Sequence, residues 1–235
     1  RKLNYNNPLF YLCADKYKVR NYVESKIGKE YLIPLLFTGD TITEKDIKKL
    51  PDSFVIKTNN ASKTNIIVRN KNNENTNEII TKANNYLKRK FWYRSFEMFY
   101  SKIEPKIIVE KLLLTKADKI PNDYKFHVFK NGRIIIQIDF DRMTNHKRAF
   151  YDEKWNKLNY SLGFPKSSVK IQKPKNLDKM LEISKKLAKE FSYVRVDLYN
   201  LAGKIYFGEL TFTHGSGYEK FTPDTIDFDW GNYWK

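Results

Sequence analysis

The stretch YVRVDLYNLAGKIYFGELT, residues 193–211, decides the reading of the fold. Two strand-like runs, Tyr193–Asn200 and Lys204–Thr211, flank a turn signal at Gly203, which predicts a β-hairpin. Side chains alternate along a strand. Arg195, Asp197 and Tyr199 therefore share one face, with Val194, Val196 and Leu198 on the other. On the second strand Ile205, Phe207, Glu209 and Thr211 share a face. A three-residue loop at Ala202–Lys204 pairs Leu201 with Ile205, and so Asp197 with Glu209.

Two opposed carboxylates repel each other, and burial beside apolar neighbours makes them costly. Two readings answer this. A divalent cation can bridge them, and oxygen donors without Cys or His suit Mg²⁺ completed by phosphate oxygens. Arg195 would then meet phosphate. Alternatively, Arg195, Asp197 and Glu209 form an ion-pair group on a solvent-facing sheet.

Outward from the hairpin, Pro174–Phe191 has an amphipathic helical pattern, with Leu177, Met180, Leu181, Ser184, Leu187, Ala188 and Phe191 on one face. Strands are predicted at Lys106–Leu114, Tyr124–Lys130, Arg133–Phe140 and Lys147–Tyr151; Asn131-Gly132 joins the middle two as a hairpin. Residues 78–100 read as helical, with the aromatic stretch FWYRSFEMFY packing into a core. Residues 70–77 read as an exposed loop. Earlier in the chain, Asp15 caps a helix over about 16–27, stopped by Gly28. Tyr31–Leu36 is a short strand interrupted by Pro34. Thr43 and Asp46 form a capping box. Ser53–Thr58 and Ile66–Arg69 are strands around the polar turn NNASKTN, 59–65. The fold class is α+β.

A formal charge of +17, from 44 Lys+Arg and 27 Asp+Glu, raises the question of nucleic acid. The excess is spread over both halves rather than gathered in an arm, so no nucleic-acid partner is expected. A basic surface still attracts nucleotides, acidic polysaccharides and acidic lipids. The single cysteine, Cys13, fits a reducing cytoplasm. There is no signal peptide and no apolar run of spanning length. The chain begins at Arg1 rather than Met, so part of a natural N-terminus is expected to be missing. Lys57 ends the apolar strand FVIK beside a turn whose backbone can cradle phosphate. NNASKTN is not a P-loop, and no GxGxxG, G-x-S-x-G, H-E-x-x-H or Cys/His cluster occurs.

The ordered segments DKYKVRNYV (15–23), FVIKTNN (54–60), IIVEKLL (107–113), PNDYKFHVF (121–129), DFDR (139–142), VRVDLYN (194–200) and FGELTFTHGSG (207–217) resemble the ATP-grasp superfamily. They are most similar to its subgroup associated with teichuronopeptide and surface-polysaccharide biosynthesis. Members often carry a glycosyltransferase label, but no nucleotide-sugar motif is visible here. The resemblance runs from about Asn7 to about Gly231. It implies two α+β lobes with ATP between them: an N-terminal segment 1–50, a small lobe 51–115 and a large lobe 116–235.

The resemblance also implies roles. Lys16 and Lys57 reach the phosphates, and the loop Asn59, Asn60, Ala61 and Ser62 closes over them. Glu110, Lys111 and Leu113 belong to the adenine hinge, and Asp123 holds the ribose. Asp197 and Glu209 bind Mg²⁺, and Arg195 stabilises the transferring phosphoryl group. Two departures stand out. Thr211 replaces the Asn of the family's E-x-N, leaving open one or two metal ions. The loop reads Asn-Asn-Ala-Ser where glycines are usual.

The function implied is an ATP- and Mg²⁺-dependent carboxylate–amine ligase, working through an acyl phosphate. It would join an amino acid or amine to a uronic acid of a surface polysaccharide or its lipid-linked precursor. A carbohydrate kinase and a nucleotide-binding protein without turnover are the alternatives. Arg142, His127, His214, Gly215 and Ser216 are candidate substrate residues. A cytoplasmic place is expected, and the basic surface suits peripheral association with the inner face of a membrane.

Overall fold

The computed structural model describes residues 7–140 and 145–234. The chain divides into two compact units, residues 1–22 with 32–113 and residues 23–31 with 114–235.

The first unit begins with helix α1, Pro8–Ala14, capped by Asn7. The one helix expected over 16–27 is shorter. Asp15 Oδ1 accepts the N–H groups of Tyr17 at 2.8 Å and Lys18 at 3.2 Å. This side-chain turn takes the first donors, so α2 starts later, at Val19–Ile27. Pro34 has no N–H to give a ladder, and β1 follows it at Leu35–Gly39. The capping box forms as read: Thr43 and Asp46 each bond the other's backbone at the start of α3, Glu44–Lys49.

Strands β2 (Phe54–Thr58), β3 (Ile66–Val68) and β4 (Ile107–Lys111) complete an antiparallel sheet of order β1-β4-β2-β3. Residues 1–50 are therefore not a segment apart, because β1 pairs along β4. Helix α4, Thr76–Leu87, begins within the expected loop. The aromatic stretch does not continue it. A short α5, Phe91–Ser95, ends at Phe96 with φ 54°, and a 3-10 turn follows at Met98–Lys102. Ile47, Ile79 and Ala83 of the helices pack on Phe54, Ile56, Ile107 and Val109.

The second unit is built on β5 (Asp123–Phe129), β6 (Ile134–Phe140), β7 (Lys147–Tyr151), β8 (Lys157–Leu158), β10 (Tyr193–Leu201) and β11 (Lys204–Thr211). Their order is β11-β10-β5-β6-β7-β8. A two-stranded pair joins β9, Ser161–Leu162, to β12, Phe221–Thr222. Helix α6, Leu177–Ala188, buries Leu177, Met180, Ile183 and Leu187 and contacts β5 and β10. The opposite sheet face carries a polar row. At one end that row gives way to an aromatic cluster of Phe129, Phe150, Tyr160, Tyr193 and Phe221 around Trp230 of α7, Thr225–Asn232.

The deciding hairpin forms, with a correction. Its turn has two residues, not three: Leu201 pairs with Lys204, and Ala202 and Gly203 have φ 51° and 90°. Asp197 nevertheless opposes Glu209, because Gly208 is an extra residue between the Leu198–Phe207 and Asp197–Glu209 pairs. This bulge reverses the parity of β11. Ile205 and Phe207 thus lie on the face opposite Glu209 and Thr211, rather than with them. A Cβ at Gly208 would lie 3.1 Å from the Asp197 carbonyl oxygen. We expect Gly208→Val to cost about 1–3 kcal/mol in urea unfolding. At Gly231 an added Cβ meets nothing within 4 Å, so Gly231→Ala should be neutral or mildly stabilising. Equal effects at the two positions would contradict the bulge assignment.

Candidate functional site

In the first unit, Lys57 and Glu110 lie on the sheet face away from α3 and α4. Lys57 Nζ donates to Glu110 Oε2 at 2.7 Å, and Arg20 Nη1 donates to Glu110 Oε1 at 3.1 Å. Glu110 thus anchors two cations by its side chain. The Lys111 N–H donates to the Pro34 carbonyl at 3.0 Å, and Leu112 and Leu113 are buried.

The polar turn after β2 is largely inside the protein. Asn59 is fully buried. Its amide donates to Asp15 Oδ1 at 3.0 Å and the Glu104 carbonyl at 2.9 Å, and accepts from the Lys106 N–H at 2.7 Å. Lys16 Nζ donates to the Ala61 carbonyl at 2.5 Å. Thr58 and Thr64 hydroxyls join at 2.9 Å, closing the turn. Ser62 and Lys63 stand exposed at its tip. Asn60 keeps a buried side-chain oxygen without a hydrogen-bond partner among the described residues.

In the second unit, register aligns Asp197 with Lys125 and Glu209, and Arg195 with His127 and Thr211. Asp197 is only 2% exposed. Its oxygens accept Arg195 Nε at 2.7 Å, Arg195 Nη2 at 2.8 Å and Lys125 Nζ at 2.9 Å. Arg195 Nη2 also reaches Glu209 Oε1 at 3.1 Å and Thr211 Oγ1 at 3.0 Å. The cluster is therefore buried rather than solvent-facing, apart from Glu209, whose side chain is 41% exposed.

Lys125 binds Asp123 as well, and lies 4.0 Å from Asp139. Burial works against its charge, but Asp123 and Asp197 outweigh that and hold its pKa above the ordinary lysine value. The same competition raises Arg195 through Asp197 and Glu209. The row continues through Asp139, which accepts from Arg148 Nε at 2.8 Å and the Gln137 amide at 3.0 Å. Burial pushes Asp139 toward neutrality; Lys125 and Arg148 outweigh it and hold its pKa down at about 2.

His127 does not reach outward as a substrate contact. It is fully buried, with Nδ1 2.8 Å from the Tyr193 hydroxyl and Nε2 3.0 Å from Gln137 Oε1. Burial, then His214 and Arg195, pushes its pKa well below the ordinary histidine range. The other candidates are more open. The His214–Gly217 turn holds Gly215 and Ser216 at φ 53° and 52°. Glu219 lies under it, bound to Arg148 Nη1 at 2.7 Å and 3.7 Å from His214 Nδ1. A Cβ at Gly215 would fall 2.3 Å from the Glu219 Cγ, so a larger residue there would be strained and would have to displace Glu219. Arg142 lies outside the described residues. Arg20, Lys125, Asp139, Arg148 and Glu219 were missed as site residues. The alternation of DYKFHVF and IIIQIDF signals Lys125 and Asp139; no local pattern signals Glu219.

A family model matches residues 1–235 as TupA-like ATP-grasp. The chain belongs to the TupA-like ATP-grasp family. No curated protein matches it. Similar solved structures include an ADP complex of purK, an N5-carboxyaminoimidazole ribonucleotide synthetase, at 15% identity and TM-score 0.55. That match covers 89% of this chain and 48% of the other. The ATP complex of D-alanine–D-alanine ligase from Bacillus anthracis matches at 15% identity and TM-score 0.45, over 85% and 53% of the two chains. The ATP-grasp ligase PsnB with minimal precursor, Mg and ADP matches at 11% and 0.48, over 88% and 52%. At these identities the likeness concerns the fold. This TupA-like chain spans about half the length of those structures.

The family implies ATP and Mg²⁺, and the donor set fits a magnesium ion within limits. Glu209 offers a hard oxygen at the exposed edge of the cluster, beside the Thr211 hydroxyl. Among the described residues no three His, Cys, Asp or Glu side chains converge as a ligand group. Asp197 can serve only by releasing part of Arg195 or Lys125. Such a set suits an ion completed by water and phosphate oxygens.

Asp139 also sets an acid limit. Its folded pKa, about 2, lies below its ordinary value of 3.8. Its contribution is thus complete above pH ~4 and lost as pH falls toward ~2, on the order of 2 kcal/mol. Urea unfolding measured across that window should fall less steeply in Asp139→Asn than in wild type. Parallel pH profiles would contradict the ion-pair assignment.

Proposed function

We propose that this chain is an ATP- and Mg²⁺-dependent ligase joining a carboxylate to an amine. The observation that carries the reading is Arg195, held between Asp197 and the partly exposed Glu209. A guanidinium so placed can shift from carboxylate to phosphoryl oxygens with little reorganisation. Lys16 and Lys57 would neutralise the phosphates, and the turn over 59–65 would close over them. Lys57 then exchanges Glu110 for a phosphate oxygen. Glu110, Lys111 and Leu113 serve the adenine and Asp123 the ribose. Magnesium, held by Glu209 with Asp197 and Thr211, would draw charge from the transferring phosphoryl group.

In the proposed reaction the acceptor carboxylate attacks the γ-phosphorus, and the bond to ADP breaks. The amine nitrogen then attacks the acyl carbon, phosphate leaves, and the amine gives up a proton. The left-handed turn at Gly215 and Ser216, with His214, supplies N–H and side-chain donors for a carboxylate. We assign the acceptor to a uronic acid of a surface polysaccharide or its lipid-linked precursor, and the amine to an amino acid. The net charge of +17 supports a polyanionic acceptor and peripheral association with an acidic membrane surface. No helix among the described residues is long and apolar enough to cross a membrane.

Mass spectrometry after incubation with ATP, amino acids and uronic-acid glycans tests this. ADP, inorganic phosphate and a glycan heavier by an amino acid less water are expected. ADP with a phosphorylated sugar makes the chain a kinase. ATP binding without any product contradicts the ligase reading. Lys57→Met should weaken ATP binding roughly 10- to 100-fold, the loss of one hydrogen bond to a charged group.

A further inference from the structure

Residues 88–102 of the first unit, KRKFWYRSFEMFYSK, are built inside out. The polar Ser95 and Glu97 at the centre are buried, whereas Tyr93, Phe96 and Met98 beside them are 71%, 55% and 45% exposed. The segment is firmly seated all the same: Phe99 and Ile103 are buried, and the Met98–Lys102 turn packs on α1 and α5. Phe96 stands in solvent on a left-handed backbone, φ 54°, a conformation that a bulky side chain rarely adopts. Such strain gives the fold nothing and is typical of positions kept for binding.

Charge in this stretch is one-sided. It carries Lys88, Arg89, Lys90, Arg94 and Lys102 against Glu97 alone, and that carboxylate is inside the protein. Lys88, Arg89 and Lys90 are all exposed. Exposed rings and a thioether flanked by cations fit the boundary of an anionic bilayer. The apolar groups enter the headgroup layer while ammonium and guanidinium groups meet lipid phosphates. An acidic glycan would use the same cations but would gain little from Phe96 and Met98. Its hydroxyls also need acceptors, and the one carboxylate of the segment is buried.

We propose that residues 88–102 dock the first unit on an anionic membrane surface, with Tyr93, Phe96 and Met98 in the headgroup layer and Lys88, Arg89 and Lys90 on its phosphates. The inference deepens the peripheral association proposed above from net charge, which it places on one segment. It is independent of the ATP reading.

Sedimentation of the full chain with vesicles tests it. Wild type should bind vesicles of equimolar phosphatidylglycerol and phosphatidylcholine, bind phosphatidylcholine alone far less, and release in raised salt. Tyr93→Ser combined with Phe96→Asn and Met98→Ser should weaken partitioning about 10-fold or more; asparagine tolerates the left-handed backbone at 96. Lys88→Glu with Lys90→Glu should weaken it at least as much. The same exchange at Lys45 and Lys49, exposed on α3, should leave most of the binding. Unchanged urea midpoints qualify the variants, and the two lysine pairs decide if the triple change does not fold. Equal losses from both lysine pairs, with none from the apolar triple, overturn the placement and leave association by diffuse charge. No preference for anionic vesicles overturns the inference outright. Binding of soluble polyuronate in place of vesicles would make the segment a glycan site. A dimer dissociated by the triple change would make it an interface between copies. Either result overturns the membrane reading and leaves the ligase reading untouched.

Discussion

The burial of Asp197 is the constraint on which the second unit depends. A carboxylate 2% exposed in the middle of a sheet must be neutralised where it stands. Arg195 does so from its own strand, two residues away, and Lys125 from the neighbouring strand. Removing either cation leaves Asp197 with the other, so the cost should stay below the roughly 3–5 kcal/mol typical of a buried charge left with no partner. Replacing the whole group by apolar residues is often neutral or favourable. Stability alone therefore gives no reason to keep it. What the group does in the structure is hold Arg195 in one orientation beside Glu209.

The first unit uses the same device. Glu110 fixes Lys57 and Arg20 together. Asn59 binds Asp15 and the backbone of residues 104 and 106 through one buried amide. This gives the Asn-Asn-Ala-Ser turn a physical account. Where a glycine-rich turn is shaped by backbone freedom, this one is shaped by side-chain bonds to its surroundings. Its exposed residues are Ser62 and Lys63 at the tip and Asn65 at its end.

Much of this was legible because alternation and local caps are short-range. The Thr43–Asp46 box, the Asn131-Gly132 hairpin and the apolar face of α6 follow from neighbouring residues. The Gly208 bulge does not. A glycine in a strand can be paired or extra, and the choice is made by Tyr199 and the Asp197 backbone packing against it. The Asp197–Glu209 pair was read correctly through two compensating departures: a turn one residue shorter and a bulge one residue longer. Lys125 sat in full view in DYKFHVF, but alternation cannot tell a buried cation from an exposed one. His127 looked free for the same reason, whereas Tyr193 and Gln137 enclose both ring nitrogens. The break before Val19 came from a competing bond by Asp15, the residue expected to start the helix.

The central claim is that Glu209 and its neighbours hold the magnesium of a bound nucleotide. It is tested most directly by thermal unfolding with a non-hydrolysable ATP analogue, with and without Mg²⁺. Ligand binding to the folded state raises the midpoint by mass action. Wild type should gain more from the analogue with magnesium than from the analogue alone, and Glu209→Gln should lose that difference while unfolding normally without ligand. A Glu209→Gln protein stabilised by magnesium and analogue as fully as wild type would contradict the account.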